Sequence, residues 1–358
     1  MSEPSRSLPV AGAFAAGQAP LRLRLAADKL ATRILFAVLL SILCAAALIT
    51  LSGHEPVTAF AAMAAGAIGS PHQVGAALNR TTPYLLAGTG VALCFRAGII
   101  NIGAEGQIAV GGIGAAAIAL AWPEDSPALP AVVTALVGGA VAGALWAGLA
   151  TAIHLGRRVH EVLATLLLNF VALLLVQQLL AGALGQFGAG FLQSPLFPRA
   201  AWLPRLAGLD AHPGFLIAAL AAAGLSFLLW RTRFGFAVRV AGSSRPAAAY
   251  AGFSLPRLTT AVMLIAGALA GLAGAIEVLG LHHRLIEGFS LGFGFKAVTV
   301  ALLAALEPLA VVPAALFIGF LEAGALSMQR QIGVPSALVT VVEGLTMLFV
   351  LAATVRRA

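Results

Sequence analysis

Eight long apolar stretches leave this chain very few folds that it could adopt. A helix needs roughly 20 apolar residues to cross a hydrocarbon core about 30 Å thick. The stretches that meet this requirement are 31–51, 99–121, 129–153, 161–184, 213–230, 258–280, 308–326 and 336–354. Two shorter stretches, 83–97 and 295–306, contain or adjoin Gly and polar residues, which is typical of broken or half-crossing helices. We expect a third, 57–69, to lie at the membrane interface.

The composition agrees with a membrane-embedded helix bundle. Only 9% of the 358 residues are charged and 60% are hydrophobic, whereas a soluble domain carries about 25% charged residues. The alternating pattern of a membrane β-barrel is absent, so we predict an all-α, polytopic transmembrane bundle in contact with membrane lipid. The sequence pI of 10.9 does not indicate nucleic-acid binding, because the basic residues lie in short loops and form no basic face. Cys44 and Cys94 both lie in apolar stretches and suggest neither a disulfide nor a metal site.

Arginines are concentrated in a few short segments and predict the topology. They precede the first apolar stretch, fill the loop 231–257 and end the chain, while the loop 122–128 has two acids and no base. Short loops rich in Lys and Arg stay on the cytoplasmic side of a membrane. The basic clusters all fall on that side if the two short stretches also cross. The sequence therefore predicts about ten crossings (eight to ten) of a bacterial inner membrane, with both termini cytoplasmic. A disordered cytoplasmic tail at 1–30 is followed by a single transmembrane domain at 31–355.

Polar side chains inside apolar stretches are candidates for function, since burying them in a membrane is costly. The segment RAGIINIGAEGQ carries Asn101, Glu105 and Gln107, and its glycines allow a solute or another backbone to come close. If the segment is helical, Asn101 and Glu105 share one face. Asn169 lies two turns inside a further stretch. These residues either line a translocation path or form a hydrogen-bond network between packed helices, and the sequence leaves both interpretations open.

The basic loop 231–257 is the second informative segment. It contains a run of alanines preceded by Pro246, a residue that often opens a helix. It is either an ordinary cytoplasmic loop or a short helix that docks onto a soluble partner.

The chain has no sequence motif for its own energy source or catalysis. It contains only two lysines, Lys29 and Lys296, and neither follows the glycine spacing of a phosphate-binding loop. Metalloprotease, serine-hydrolase and paired Cys/His patterns are also absent. We therefore predict no catalytic residues, no metal site and no cofactor bound by this chain.

Five segments in order and in register carry a resemblance to a known family. They are NIGAEGQ (101–107), HEVLATLLLNF (160–170), RTRFGFAVRVAGSSRPAAAYAGF (231–253), AGALAGLAGAIEVLG (266–280) and the tail from GFGF (292–295) to VVEGLTMLFVL (341–351). Together they resemble the permease subunits of bacterial nucleoside-type ABC importers, within the wider ribose and branched-chain amino-acid permease group. The resemblance extends from about residue 80 to the end of the chain.

The resemblance also implies the other subunits of the transporter. It implies a second permease subunit, giving a heterodimer, a cytoplasmic ATPase that uses the ATP, and an extracytoplasmic solute-binding lipoprotein. It also implies that the loop couples to the ATPase through Arg239, Gly242, Ala247, Ala248, Tyr250 and Gly252. At 292–304 the chain departs from the family pattern, because Lys296 stands where an acid is expected near the translocation path.

We therefore predict a permease that moves a small polar solute, a nucleoside by the resemblance, by alternating access. Asn101, Glu105, Gln107, Asn169 and Lys296 are the predicted path residues. The positive charge of Lys296 leaves a sugar or an anionic solute as alternatives. A self-contained, ion-coupled secondary transporter is the alternative from another class, and it would require a pair of acids deep in one site.

Overall fold

The computed structural model describes residues 36–206, 208–290 and 292–354, and the predicted tail 1–30 lies outside these ranges. The described residues form α-helices joined mostly by short loops, with one long connection at 182–213, and they include no β-strand. The helices are α1 (Phe36–Leu51), α2 (Pro56–Ile68), α3 (Pro71–Arg96), α4 (Ala104–Ala121), α5 (Ala128–Arg157), α6 (Glu161–Ala181), α7 (Gly214–Arg231), α8 (Arg233–Ser243), α9 (Arg245–Tyr250), α10 (Leu255–Glu277), α11 (Phe293–Leu303), α12 (Val311–Ile332) and α13 (Ser336–Thr354). A π-helical turn, Val278–His282, extends α10. The predicted all-α polytopic bundle is confirmed.

Six helices are long and apolar enough to span a membrane: α4, α5, α6, α7, α10 with its π-turn, and α12. The helices α1 and α2 meet at an angle of 118° and together match a broken span. The outer surface of α5 shows how the bundle meets lipid, because large aliphatic side chains recur there every fourth residue and remain exposed. These side chains are Leu129, Val133, Val137, Val141, Leu145 and Leu149.

Two predicted boundaries were wrong, both around residue 97. The stretch 83–97 is not a separate half-crossing helix, because it forms the second half of the 26-residue α3, in which Pro83 is an interior residue. The predicted crossing 99–121 begins only at Ala104. Between the two helices the chain turns at Gly98, where φ is +70°, a conformation that glycine adopts without steric cost. Asn101 therefore precedes α4 and does not share a helical face with Glu105.

Glycine contacts hold α4, α5 and α10 together. A Cβ at Gly271 of α10 would overlap the backbone of Gly139 and Gly143 on α5, and one at Gly274 would overlap the backbone of α4. The absence of side chains lets these backbones touch, which is how membrane helices gain packing energy without a hydrophobic driving force.

Helices α3, α11 and α12 bring charged side chains together within the bundle. The short helix α11 lies against α3 and α12, where Gly88 leaves room for Val300 and Val311. Helices α8 and α9 pack through buried apolar residues onto the end of the bundle where α3, α7 and the 304–310 turn also finish. We call this end of the molecule the α8–α9 end.

Candidate functional site

Glu105 joins two helix N-termini inside the bundle. It lies in the first turn of α4, and its carboxylate accepts hydrogen bonds from the backbone N–H groups of Gly292 (3.2 Å) and Gly294 (2.8 Å) at the start of α11. The partial positive charge at a helix N-terminus favours such an anion. A Cβ at Gly294 would overlap the backbone of Glu105, so the two helix starts are in direct contact. Glu105 thus fixes the position of α11.

Asn101, Gln107 and Asn169 form the hydrogen bonds that replace helical ones in the break before α4. The Asn101 side chain accepts from the Gly103 N–H at 2.8 Å and meets the Gln107 amide at 3.4 Å. From α6, Asn169 accepts from the Gly106 N–H at 2.9 Å and donates to the Ile102 carbonyl at 2.8 Å.

All three side chains, like that of Glu105, are buried. Of the two interpretations of the sequence, these contacts match the packing network. The role of the four residues in the translocation path stays a prediction.

Lys296 belongs to a cluster of charges between α3, α11, α12 and α13. Its ammonium group lies 3.0 Å from the Glu343 carboxylate and 3.6 Å from that of Glu322. Glu322 also pairs with Arg80 at 3.2 Å and accepts a hydrogen bond from the Tyr84 hydroxyl. Two cations and two carboxylates therefore share the site, and their formal charges cancel. We call these five residues the charge cluster.

A polar cavity of about 330 Å³ adjoins the charge cluster on the side away from the α8–α9 end. Arg80 contributes both to this cavity and to the ion pair with Glu322. The cavity's other polar walls include His72, Gln73, Asn79, Asp210 and Arg330. The cavity gives the charge cluster a hydrophilic approach from one side.

The predicted coupling segment forms two helices that present a small exposed surface. Tyr250 is 97% exposed, and Ala247 and Gly252 are exposed beside it. Ala248, in contrast, is completely buried against its own chain. A Cβ at Gly242 would overlap the Arg96 carbonyl oxygen, so that glycine allows α8 to contact the end of α3. Of the six predicted coupling residues, four are thus exposed, because Gly242 is exposed as well as Ala247, Tyr250 and Gly252.

The sixth, Arg239, turns toward the bundle. Its guanidinium group lies 4.7 Å from the centre of the Trp230 ring, and it donates a hydrogen bond to the Leu229 carbonyl. Sequence reasoning missed Trp230, the ring that this arginine contacts, and it missed Arg96 and Glu307, which contact the same indole. It also missed Arg80 and Tyr84 of the charge cluster, although their spacing of four residues places them on one face of α3.

No group of three His, Cys, Asp or Glu side chains within the described ranges is placed to hold a metal ion. The polar sites of this part of the chain are instead built from ion pairs and amide hydrogen bonds.

Comparison with known proteins places the chain among transport permeases. The family described as the permease component of the branched-chain amino acid transport system matches residues 73–351. The guanosine ABC transporter permease NupP of Bacillus subtilis is 35% identical over 320 residues, covering 88% of this chain and 91% of that protein. The glucose ABC transporter permease TsgB13 of Haloferax volcanii is 36% identical over 311 residues, 83% of this chain and 80% of that protein.

Two further similarities bear on solute and assembly. The nucleoside ABC transporter permease NupB of Lactococcus lactis is 28% identical over 329 residues, 88% of this chain and 89% of that protein. Bacillus subtilis has a second guanosine ABC transporter permease, NupQ, which is 25% identical over 264 residues, 70% of this chain and 80% of that protein.

Proposed function

The chain belongs to the family of branched-chain amino-acid transport permeases and is a permease subunit of an ATP-binding-cassette transporter, and from this premise we propose that it imports a nucleoside. The observation that carries this proposal is the 35% identity to a guanosine permease over nearly the whole of both chains. The similarity to a second nucleoside permease supports it. The permease subunit itself is not catalytic, and we assign ATP hydrolysis to a separate cytoplasmic subunit.

The charge cluster favours an uncharged solute. An unpaired Lys296 would attract an anion, but its ammonium group lies within 4 Å of two carboxylates, and Arg80 balances the second of them. A cluster of zero net charge offers hydrogen bonds without a net attraction for either sign of charge. A nucleoside, with many donors and acceptors and no charge, matches these properties.

We propose that the translocation path passes along the charge cluster. The adjoining polar cavity, which Arg80 also lines, supports this route. Asn101, Glu105, Gln107 and Asn169 would line the path only in a second conformation that opens their packed contacts. In the conformation described here they maintain the break before α4 and the start of α11.

The proposed assembly has four kinds of component. The exposed surface around Tyr250 on α9 docks onto the ATPase. A second, different permease completes the translocator, as the presence of both NupP and NupQ in one organism suggests. An extracytoplasmic binding lipoprotein delivers the solute. The arginine distribution supports an inner-membrane location with both termini cytoplasmic.

Uptake competition tests the solute. Cells that carry the whole complex, and matched cells without this chain, are supplied with labelled guanosine. We expect uptake that depends on this chain and is suppressed by excess unlabelled nucleosides and not by glucose. Guanosine uptake that is equal in both strains would refute the proposed solute.

A sugar is the second candidate, because the glucose permease TsgB13 is as similar as the guanosine permease. It is uncharged and rich in hydroxyl groups, so it also fits a neutral polar path. Labelled glucose in the same two strains distinguishes the candidates. Chain-dependent glucose uptake that guanosine does not suppress would select the sugar.

A further inference from the structure

Four side chains from four parts of the fold meet at the α8–α9 end. Glu307, in the turn after α11, pairs with Arg96 at the end of α3, at 2.9 Å. Its second carboxylate oxygen accepts a hydrogen bond from the Trp230 indole N–H of α7, at 2.8 Å. Arg239 of α8 lies over the same indole ring at 4.7 Å, and Arg96 lies 5.5 Å from its centre. We call these four residues the latch.

The latch connects α8 to the turn that follows α11. This turn is conformationally unusual, because Ala305 and Leu306 have φ values of +49° and +61° although neither is glycine. Residues with a Cβ adopt this region only where surrounding contacts impose it, often at sites that switch conformation. Here Arg96 supplies such a contact by also donating to the Leu306 carbonyl, at 3.3 Å.

Helix α11 joins the latch to the charge cluster. It is only 11 residues long, and Lys296 lies in its first turn while the latch holds the turn after its last residue. A short helix held by charged contacts at both ends moves as one unit when either end is displaced. Its own apolar packing is limited by its length, unlike that of the 23-residue α10.

We propose that the latch transmits displacement of α8 and α9 to α11, and so repositions Lys296 in the charge cluster during each ATPase cycle. This inference rests on the proposed docking of α9 onto the ATPase. Glu307 and Trp230 are positioning residues in this scheme, since they act on the path through α11 and touch no solute.

The exposure of the latch argues against a purely stabilising role. The side chains of Arg96 and Glu307 are 28% and 30% exposed, and ion pairs that are partly exposed contribute little to stability. Substitutions in the latch are therefore expected to leave the protein folded while altering the link between hydrolysis and transport.

The test uses the complete complex in proteoliposomes, with uptake and ATP hydrolysis measured together. The solute is whichever of guanosine and glucose the unmodified complex takes up. Trp230→Phe keeps the ring under Arg239 but removes the N–H donor, and Glu307→Gln removes the charge that pairs with Arg96. Trp122→Phe is the matched control, because its indole N–H has no hydrogen-bond partner among the described residues.

We expect uptake per ATP hydrolysed to fall at least about fivefold in both latch variants, the lower end of typical coupling between sites. The KM for the solute and the amount of assembled complex should stay unchanged. The double variant should be little worse than the poorer single one, since the two residues act as a unit. Trp122→Phe should keep the unmodified ratio.

Two results would refute the proposed role of the latch. One is an unmodified ratio of uptake to hydrolysis in both variants. The other is a parallel loss of uptake, hydrolysis and assembled complex, which would indicate a structural role; if Glu307→Gln assembles poorly, Trp230→Phe decides. Tyr250→Asp separates the two proposals, because an ATPase that still co-purifies with this variant contradicts docking on α9 and leaves the latch measurements unaffected.

Discussion

Removing the Lys296 charge should show how much the charge balance of the cluster contributes to the stability of the protein. Lys296→Met leaves the Glu343 carboxylate, whose side chain is only 7% exposed, without its cation at 3.0 Å. The three formal charges that remain then sum to −1, whereas the original four cancelled. A carboxylate left alone in a site of low polarity loses attraction without regaining its full hydration. The lysine is thus stabilising because it neutralises its neighbours.

The burial of the ion pair determines how strongly Lys296→Met should destabilise the protein. Breaking a fully buried ion pair costs about 3–5 kcal/mol. The Lys296 side chain is 26% exposed, so water screens part of the interaction, and we expect Lys296→Met to destabilise by about 2–4 kcal/mol. Removing both partners is far less costly, and Lys296→Met/Glu343→Leu should lie within about 1 kcal/mol of the unmodified protein. Lys296→Arg retains the charge and serves as the control.

The assay is denaturant-induced unfolding of the purified complex, combined with solute uptake. The double variant should recover both stability and much of the uptake of a neutral solute, since it restores zero net charge. A double variant that is less stable than Lys296→Met alone would refute the charge-balance argument. If stability recovers and uptake does not, Lys296 contacts the solute directly.

Three further predictions follow from the geometry. Gly294→Ala should destabilise by about 1–3 kcal/mol in thermal unfolding, since its Cβ would overlap the backbone of α4, whereas Gly224→Ala, which faces open space on α7, should not. Ala247→Glu should abolish co-purification of the ATPase while the permease stays folded, and Ala248→Glu, at a buried position, should reduce the amount of folded permease. A cysteine at Ser126 should react with an impermeant reagent added to intact cells; labelling only after lysis would contradict the predicted topology.

The length of the apolar stretches predicted most helices, because the thickness of the membrane determines how long a crossing helix must be. The boundaries of α5, α7 and α13 follow the predicted stretches closely, since a crossing helix ends where polar residues reach the interface. The first half of α3 was not predicted as part of a helix from its apolar length. It contains His72, Asn79 and Arg80, so it is not an apolar stretch. Those polar residues are accommodated by partners distant in sequence, as Arg80 is by Glu322.

The partners of the site residues were harder to predict than the site residues themselves. Asn101, Glu105, Gln107 and Asn169 were identified from the sequence as costly polar groups within apolar stretches, and all four side chains are buried. Their partners are mostly backbone groups released at the break before α4 and at the start of α11, and no sequence pattern shows where a backbone N–H is unpaired. The pairing of Lys296 with Glu322 and Glu343 also depends on how α11 to α13 fold together, which spacing alone does not reveal.

The two ways in which this bundle is held together account for which part can move. Between α4, α5 and α10 the contacts are backbone against backbone through glycines, and a gap of about 0.5–1 Å would remove about a quarter to a half of the attraction at each contact. Around α11 the backbone contact of Gly294 with α4 is accompanied by ion pairs and hydrogen bonds from long side chains, which can exchange partners as helices shift. Lys296 already lies within 4 Å of two carboxylates on different helices, so a small movement of α11 can change its nearer partner without exposing an unpaired charge. Motion of α11 that leaves the Gly294 contact in place therefore costs less free energy than separation of the glycine-packed helices.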